Sequence, residues 1–169
     1  MTNRTLEQKF VHDLAGIYDA EHRFLEAQGQ LLQEAYAPQL KALIQDHMAQ
    51  TEQQIGNLEQ IYRQLGANPR RTTCAAAAGL VSEGEQGLAD SAGSPTVRDC
   101  MIGSALSKVE HYELAFYRGL LTTAECMGQL QIAALLRQNL QQEEQTAALV
   151  EQSTPMLLEQ AMLAQQRAL

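Results

Sequence analysis

The sequence predicts an all-α protein built around a four-helix bundle. Leu, Ala and Gln dominate its 169 residues, while three Phe, five Tyr and no Trp supply little aromatic bulk, a composition that favours helix. Apolar residues recur in alternating steps of three and four along four long segments, the spacing of helices that pack nearly parallel. Pro and Gly fall where those segments are expected to start and stop. The length fits one domain, residues 1–169, large enough to bury a core.

The first segment opens near Thr5, a candidate N-cap with Gln8 three residues on. Its stripe reads Phe10, Leu14, Ile17, Glu21, Phe24, Gln28, Leu31. The chain turns at "AYAPQ", where Pro38 suits the first position of a helix. The second stripe reads Leu40, Ile44, His47, Thr51, Gln54, Leu58, Ile61, Leu65, and "LGANP" closes it. Residues 70–94 are rich in Ala, Gly and Ser and predict a loop with a short helix over Ala75–Leu88, packed on the side of the bundle. Ser94 and Pro95 then open a third long helix with the stripe Ile102, Leu106, Val109, Glu113, Phe116, Leu120, Thr123, Met127. After a tight turn at "MGQ" the fourth reads Ala133, Leu136, Leu140, Glu143 or Glu144, Ala147, Val150. Pro155 is expected to interrupt it, leaving "MLLEQAMLAQQRAL" as a short amphipathic helix that caps the bundle or joins a dimer contact. Two hairpins joined by one long connection are the one-crossover connectivity of ferritin-like bundles rather than simple up-down-up-down.

Twenty acidic against twelve basic side chains leave a net charge of −8, which argues against nucleic acid and anionic membranes as partners. No stretch approaches the roughly 18 apolar residues of a membrane span, and "MTNRTLEQKF" lacks the apolar core of a signal peptide. Cys74, Cys100 and Cys126 are odd in number and lack metal-type CxxC spacing, as in reduced cytoplasmic proteins. There is no G-x-S-x-G and no phosphate-binding glycine loop.

Each stripe is broken once near its middle: by Glu21, by His47 to Gln54, by Glu110 and Glu113, and by Glu143 and Glu144. Folding each hairpin at its turn sets Glu21 level with about residue 52, within the His47–Gln54 window, and Glu113 level with Glu144, and a two-residue error moves these heights by only about 3 Å. Carboxylates from three helices and a His with Gln from the fourth thus converge in one layer. Anions that close repel one another, and the stripes carry no Lys or Arg there to compensate. A divalent cation compensates directly, and carboxylate oxygen with imidazole nitrogen suits Fe, Mn or Zn.

The pieces "DAEHRF", "DHMAQTEQQI", "CAAAAGLVSEG", "KVEHYELAFY" and "LQQEEQTAAL", in that order over most of the chain, resemble the YciF/YciE-type ferritin-like proteins of bacterial stress responses. The resemblance implies a bundle with an added short helix, a homodimer, and a rubrerythrin-like dimetal site of Fe or Mn linked to oxygen or peroxide chemistry. By position it makes Glu21, Glu110, Glu113 and Glu144 the carboxylate ligands, with His47 and Gln50 on the helix-two side. Helix two departs from the family, which usually reads His-x-x-Glu-Thr where this chain reads His47-Met-Ala-Gln50-Thr51. A neutral Gln bridges metals poorly, so the departure predicts one metal, or two with the second held more weakly. It also motivates a reading from another class, a structural or interaction bundle with a degenerate site. Of the remaining polar residues, Tyr18 or Tyr117 can reach a ligand carboxylate from outside the ligand set. His12, His22 and His111 read as surface residues.

Overall fold

The structure, a computed structural model, describes residues 5–167. The ends of the expected domain, residues 1–4 and 168–169, including the last two residues of the C-terminal segment, lie outside the described residues. Among the described residues five helices follow one another: α1 Leu6–Glu34, α2 Pro38–Gln64, α3 Ala75–Asp90, α4 Pro95–Cys126 and α5 Leu130–Arg167. Their ends obey local chemistry. Thr5 accepts the Gln8 amide at 3.2 Å and Ser94 the Val97 amide at 3.4 Å, while Pro38 and Pro95 hold the first helical positions. Gly66 and Gly128 take left-handed φ of 66° and 70° after α2 and α4. Each is followed by an amide that reaches back to the last helical turn, Ala67 to Tyr62 and Gln129 to Ala124, the Schellman closure that needs a residue without Cβ.

Side-chain pairs set the topology. Gln28 with Thr51 and Tyr18 with Glu59 run α1 against α2, while Glu21 with Tyr117 and Glu34 with Arg98 run it against α4. Asn57 with Asn139 and Gln50 with Thr146 run α2 against α5. Since α1 is antiparallel to both α2 and α4, those two are parallel and lie on a diagonal, joined by the long connection. That is the one-crossover arrangement expected. Helix α3 lies outside, over the groove between α1 and α4, with Gly84 and Gly87 allowing close approach to Ala105 and Met101. The connection is pinned by buried Asp19, which accepts the Cys74 amide at 2.9 Å and the Nε of Arg71 and Arg23 at 2.8 and 2.6 Å. Burial alone raises a carboxyl pKa, but these three donors outweigh it and hold Asp19 below the ordinary carboxylate range.

Two expectations fail. Helix α5 does not stop at Pro155 but continues to Arg167. Beyond the proline, Leu157 is buried with Ile102, Leu106 and Ile44 and Ala161 is buried too, so tertiary packing carries the helix past the missing amide. On α4 the buried face is Ile102, Leu106, Glu110, Glu113, Tyr117, Leu120, Ala124, while Val109 and Phe116 are only half-buried. Val109 faces α3, a second apolar surface that pulled the expected phase away from the bundle axis. Two apolar clusters result. One holds Phe10, Leu14, Ile17, Leu58, Ile61 and Leu136, the other Leu31, Leu40, Ile44, Ile102 and Leu157. A polar layer separates them.

Candidate metal centre

That layer gathers His47 from α2, Glu110 and Glu113 from α4, and Glu143 from α5. One ligand atom of each lies within 4.8 Å of all the others, and no side chain is more than 1 % exposed. The Glu110-x-x-Glu113 spacing turns both carboxylates to one helix face. His47 Nε2 approaches Glu110 Oε1 to 2.9 Å, yet neither atom makes an aligned hydrogen bond. Also without partners are His47 Nδ1, Glu110 Oε2, Glu113 Oε1 and Glu143 Oε2. Buried polar atoms are almost always satisfied, because each orphan costs about 1–3 kcal/mol. Donors bound to one ion at about 2.0–2.1 Å stand roughly 2.9–3.4 Å apart, the spacing at which a nitrogen and an oxygen meet without bonding each other. Among the described residues no Lys or Arg pairs with any of the four; each basic ion pair lies elsewhere. This buried His and Glu group could hold a metal ion, and its donor set fits one.

Glu21 of α1 is fully buried beside the four and accepts the Tyr117 hydroxyl. Asn139 Nδ2 donates to the Tyr117 oxygen at 3.0 Å, and Asn57 Nδ2 to Asn139 Oδ1 at 2.7 Å, so the layer is braced from α2, α4 and α5. Gln54 donates to Glu143. Burial first, then the neighbouring Glu143 charge, push Glu21 up to about 8. Burial raises Glu110 to about 7 against the opposing effect of the adjacent Glu143 carboxyl, with Glu21 adding repulsion. Glu113 and Glu143 rise well above the carboxylate range, each by burial and then by neighbouring carboxylates. His47 is depressed by burial despite the nearby Glu143 and Glu21 and the Gln50 side chain beside it. Without a cation, the protein therefore favours protonated carboxyls and a neutral imidazole here.

Of the residues singled out in the sequence, Glu21, His47, Glu110 and Glu113 meet in the layer, and Glu110 lies squarely on the buried stripe. Glu144 does not join them. It is exposed and paired with Arg118 at 3.1 Å, and Glu143 points inward instead. The alternation of threes and fours from Leu136 and Leu140 to Ala147 selects residue 143; the height count favoured its neighbour. Gln50 is half-buried, accepts the Thr146 hydroxyl at 2.8 Å and lies beside His47, at the edge of the group. Glu21 is level with residues near Asn57 and Leu58 rather than Glu52, as the Gln28–Thr51 and Tyr18–Glu59 pairs require. The link residues Ala35 and Ala37 are extended and carry α2 past the end of α1 before it turns back. Tyr117 reaches Glu21, whereas Tyr18 reaches Glu59 at 3.0 Å. Gln54, at the end of the polar window on the second stripe, reaches the site through Glu143, whereas Asn139 was missed as its neighbour.

The family model described as "Domain of unknown function (DUF892)" matches residues 5–163. Protein YciF of Escherichia coli strain K12 is 32 % identical over 147 residues, 86 % of this chain and 88 % of that protein. The crystal structure of the E. coli stress protein YciF superposes with a TM-score of 0.87 at 29 % identity, covering 92 % of this chain and 98 % of the other. YcfI of Rhodopseudomonas palustris, described as a candidate structural protein, gives 0.85 at 30 % identity over 89 % and 98 %. A Xanthomonas campestris protein shares the fold, with a TM-score of 0.77 at 19 % identity over 96 % and 99 %. With residues 5–163 matched by the family model and most of its length shared with YciF, the chain belongs to the DUF892 family of YciF-like helical proteins.

Proposed function

We propose that this chain is a metal-carboxylate protein of the stress response, holding one or two Fe or Mn ions per chain, with Zn as a further fit. His47, Glu110, Glu113 and Glu143 hold the ion, and Glu21 faces the same space from α1. The observation that carries this reading is the set of buried, unpartnered nitrogen and oxygen atoms turned toward one another with no basic side chain between them. Bound iron or manganese supplies one-electron chemistry toward oxygen or peroxide. The protein's own part is to orient and to exclude: Tyr117 and Gln54 hold Glu21 and Glu143 in place, and the two apolar clusters keep bulk water from both ends of the layer. The stress role rests on the relative called the E. coli stress protein YciF.

Metal analysis of protein purified without chelator tests this. About one or two equivalents of Fe, Mn or Zn per chain are expected, lost in Glu113→Ala. The second reading, a structural or interaction bundle with its carboxyls protonated, is favoured by Gln50, a neutral amide that bonds Thr146 where a metal bridge would need a carboxylate. It predicts metal-free protein whose melting is unmoved by Fe²⁺ or Mn²⁺. A cytoplasmic location fits three free cysteines and the absence, among the described residues, of any helix long and apolar enough to cross a membrane. A homodimer fits exposed Leu158, Met162 and Leu163 near the end of α5, and sedimentation at micromolar concentration tests it. The excess of acidic residues leaves nucleic acid out of this reading.

A further inference from the structure

We propose that ions enter and leave the centre through the cleft between α2 and α5, past a side-chain latch formed by Gln50 and Thr146. The inference rests on the metal reading above and concerns the route rather than the ligands. A cleft of about 370 Å³ opens between the two helices, lined by Asp46, Gln50, Thr146 and Gln152 among others. His47 also borders it. The grooves around α3 are lined by no residue of the centre. At the opposite end of the layer, Glu21, Tyr117 and Asn139 are fully buried and bonded to one another, which closes that side.

The cleft has the chemistry a cation route requires. Its lining contains no Lys or Arg, and exposed Asp46 places a negative charge at the edge. Behind the latch, His47 is 1 % exposed and neither ring nitrogen makes an aligned hydrogen bond, while the Gln50 side chain lies beside the ring, so imidazole is the first group of the centre that an entering ion meets once Gln50 swings away. One neutral side-chain hydrogen bond of 2.8 Å, from Thr146 Oγ1 to Gln50 Oε1, ties α2 to α5 across this opening. It opens by rotation of two side chains, with no helix displaced. The replacement that weakened Gln50 as a ligand thereby gives it a different task.

A latch and a ligand differ in kinetics. A latch changes entry and exit by the same factor and leaves the equilibrium alone; a ligand changes the equilibrium. Zn²⁺ uptake by the apo protein, and its release to a chromophoric chelator, are followed by stopped flow in the wild type, Gln50→Ala and Thr146→Val. Both variants are expected to speed uptake and release together, by about five- to tenfold for one hydrogen bond, at an unchanged Kd. Leu149→Trp, at the rim of the cleft, is expected to slow both. A Kd weakened in Gln50→Ala without faster uptake makes Gln50 a ligand and overturns the latch. Normal uptake, at rates indifferent to all three variants, places the route elsewhere. Wild-type protein that takes up no Zn²⁺ sinks the metal reading and the latch together.

Discussion

Glu143 and Glu144 are chemically identical neighbours, and one helical step of about 100° separates a buried donor from a solvated ion pair. Residue types alone locate such a site to within a step; the packing of Leu136, Leu140 and Ala147 decides which carboxylate faces in. Asp99 shows the opposite case, a functional-looking buried carboxylate with a structural task. It is 1 % exposed and accepts the amides of Tyr36 and Ala37 at 2.7 and 2.8 Å, fixing the α1–α2 turn from α4. No stripe pointed to it, since its partners lie more than sixty residues away. Asp99→Ala leaves two amides without their acceptor and is expected to lower stability by about 1–3 kcal/mol, read as a lower urea midpoint at unchanged slope.

At the scale of elements, local chemistry predicted starts better than stops. Thr5, Pro38, Ser94 and Pro95 open their helices as expected, because N-caps and first-turn prolines act within a few residues. Pro155 failed as a terminator because its penalty, about 3 kcal/mol in a helix interior, competes with burial of Leu157 and Ala161. Ser153 and Thr154 both donate to the Val150 carbonyl at 2.8 and 3.0 Å, within the turn before the proline. Restoring the amide in Pro155→Ala is expected to stabilise the protein by roughly 1–3 kcal/mol, seen as a higher melting temperature with unchanged helix content.

For the whole molecule, the four inward carboxyls link stability to pH and metal. Their ordinary value is 4.5, and the fold raises Glu21 to about 8 and Glu110 to about 7, with Glu113 and Glu143 higher than ordinary as well. Below pH 4.5 both folded and unfolded chains carry these protons, so the site exacts no titration penalty. Above it the unfolded chain releases them and the native chain retains them, so stability falls as pH rises through the Glu110 and Glu21 values of about 7 and about 8, and goes on falling while Glu113 and Glu143 keep their protons. Chemical denaturation of apo protein at pH 5, 6.5 and 8 is expected to show this decline. Mn²⁺ binds the deprotonated site, so its stabilisation is expected to grow over the same interval. Flat apo stability across that range contradicts the burial of these groups as carboxyls.

By itself, the sequence determined the helices, their caps, the two hairpins and a polar band in the middle of the bundle. All of these depend on spacing within one segment, where the period of 3.6 residues and the chemistry of turns act locally. Only the tertiary structure decided which of two adjacent glutamates enters the band, that Gln50 faces Thr146, and that α5 survives its proline. Those outcomes turn on how far one helix slides and rotates against another, and both are set by extended linkers and by packing against residues distant in the chain.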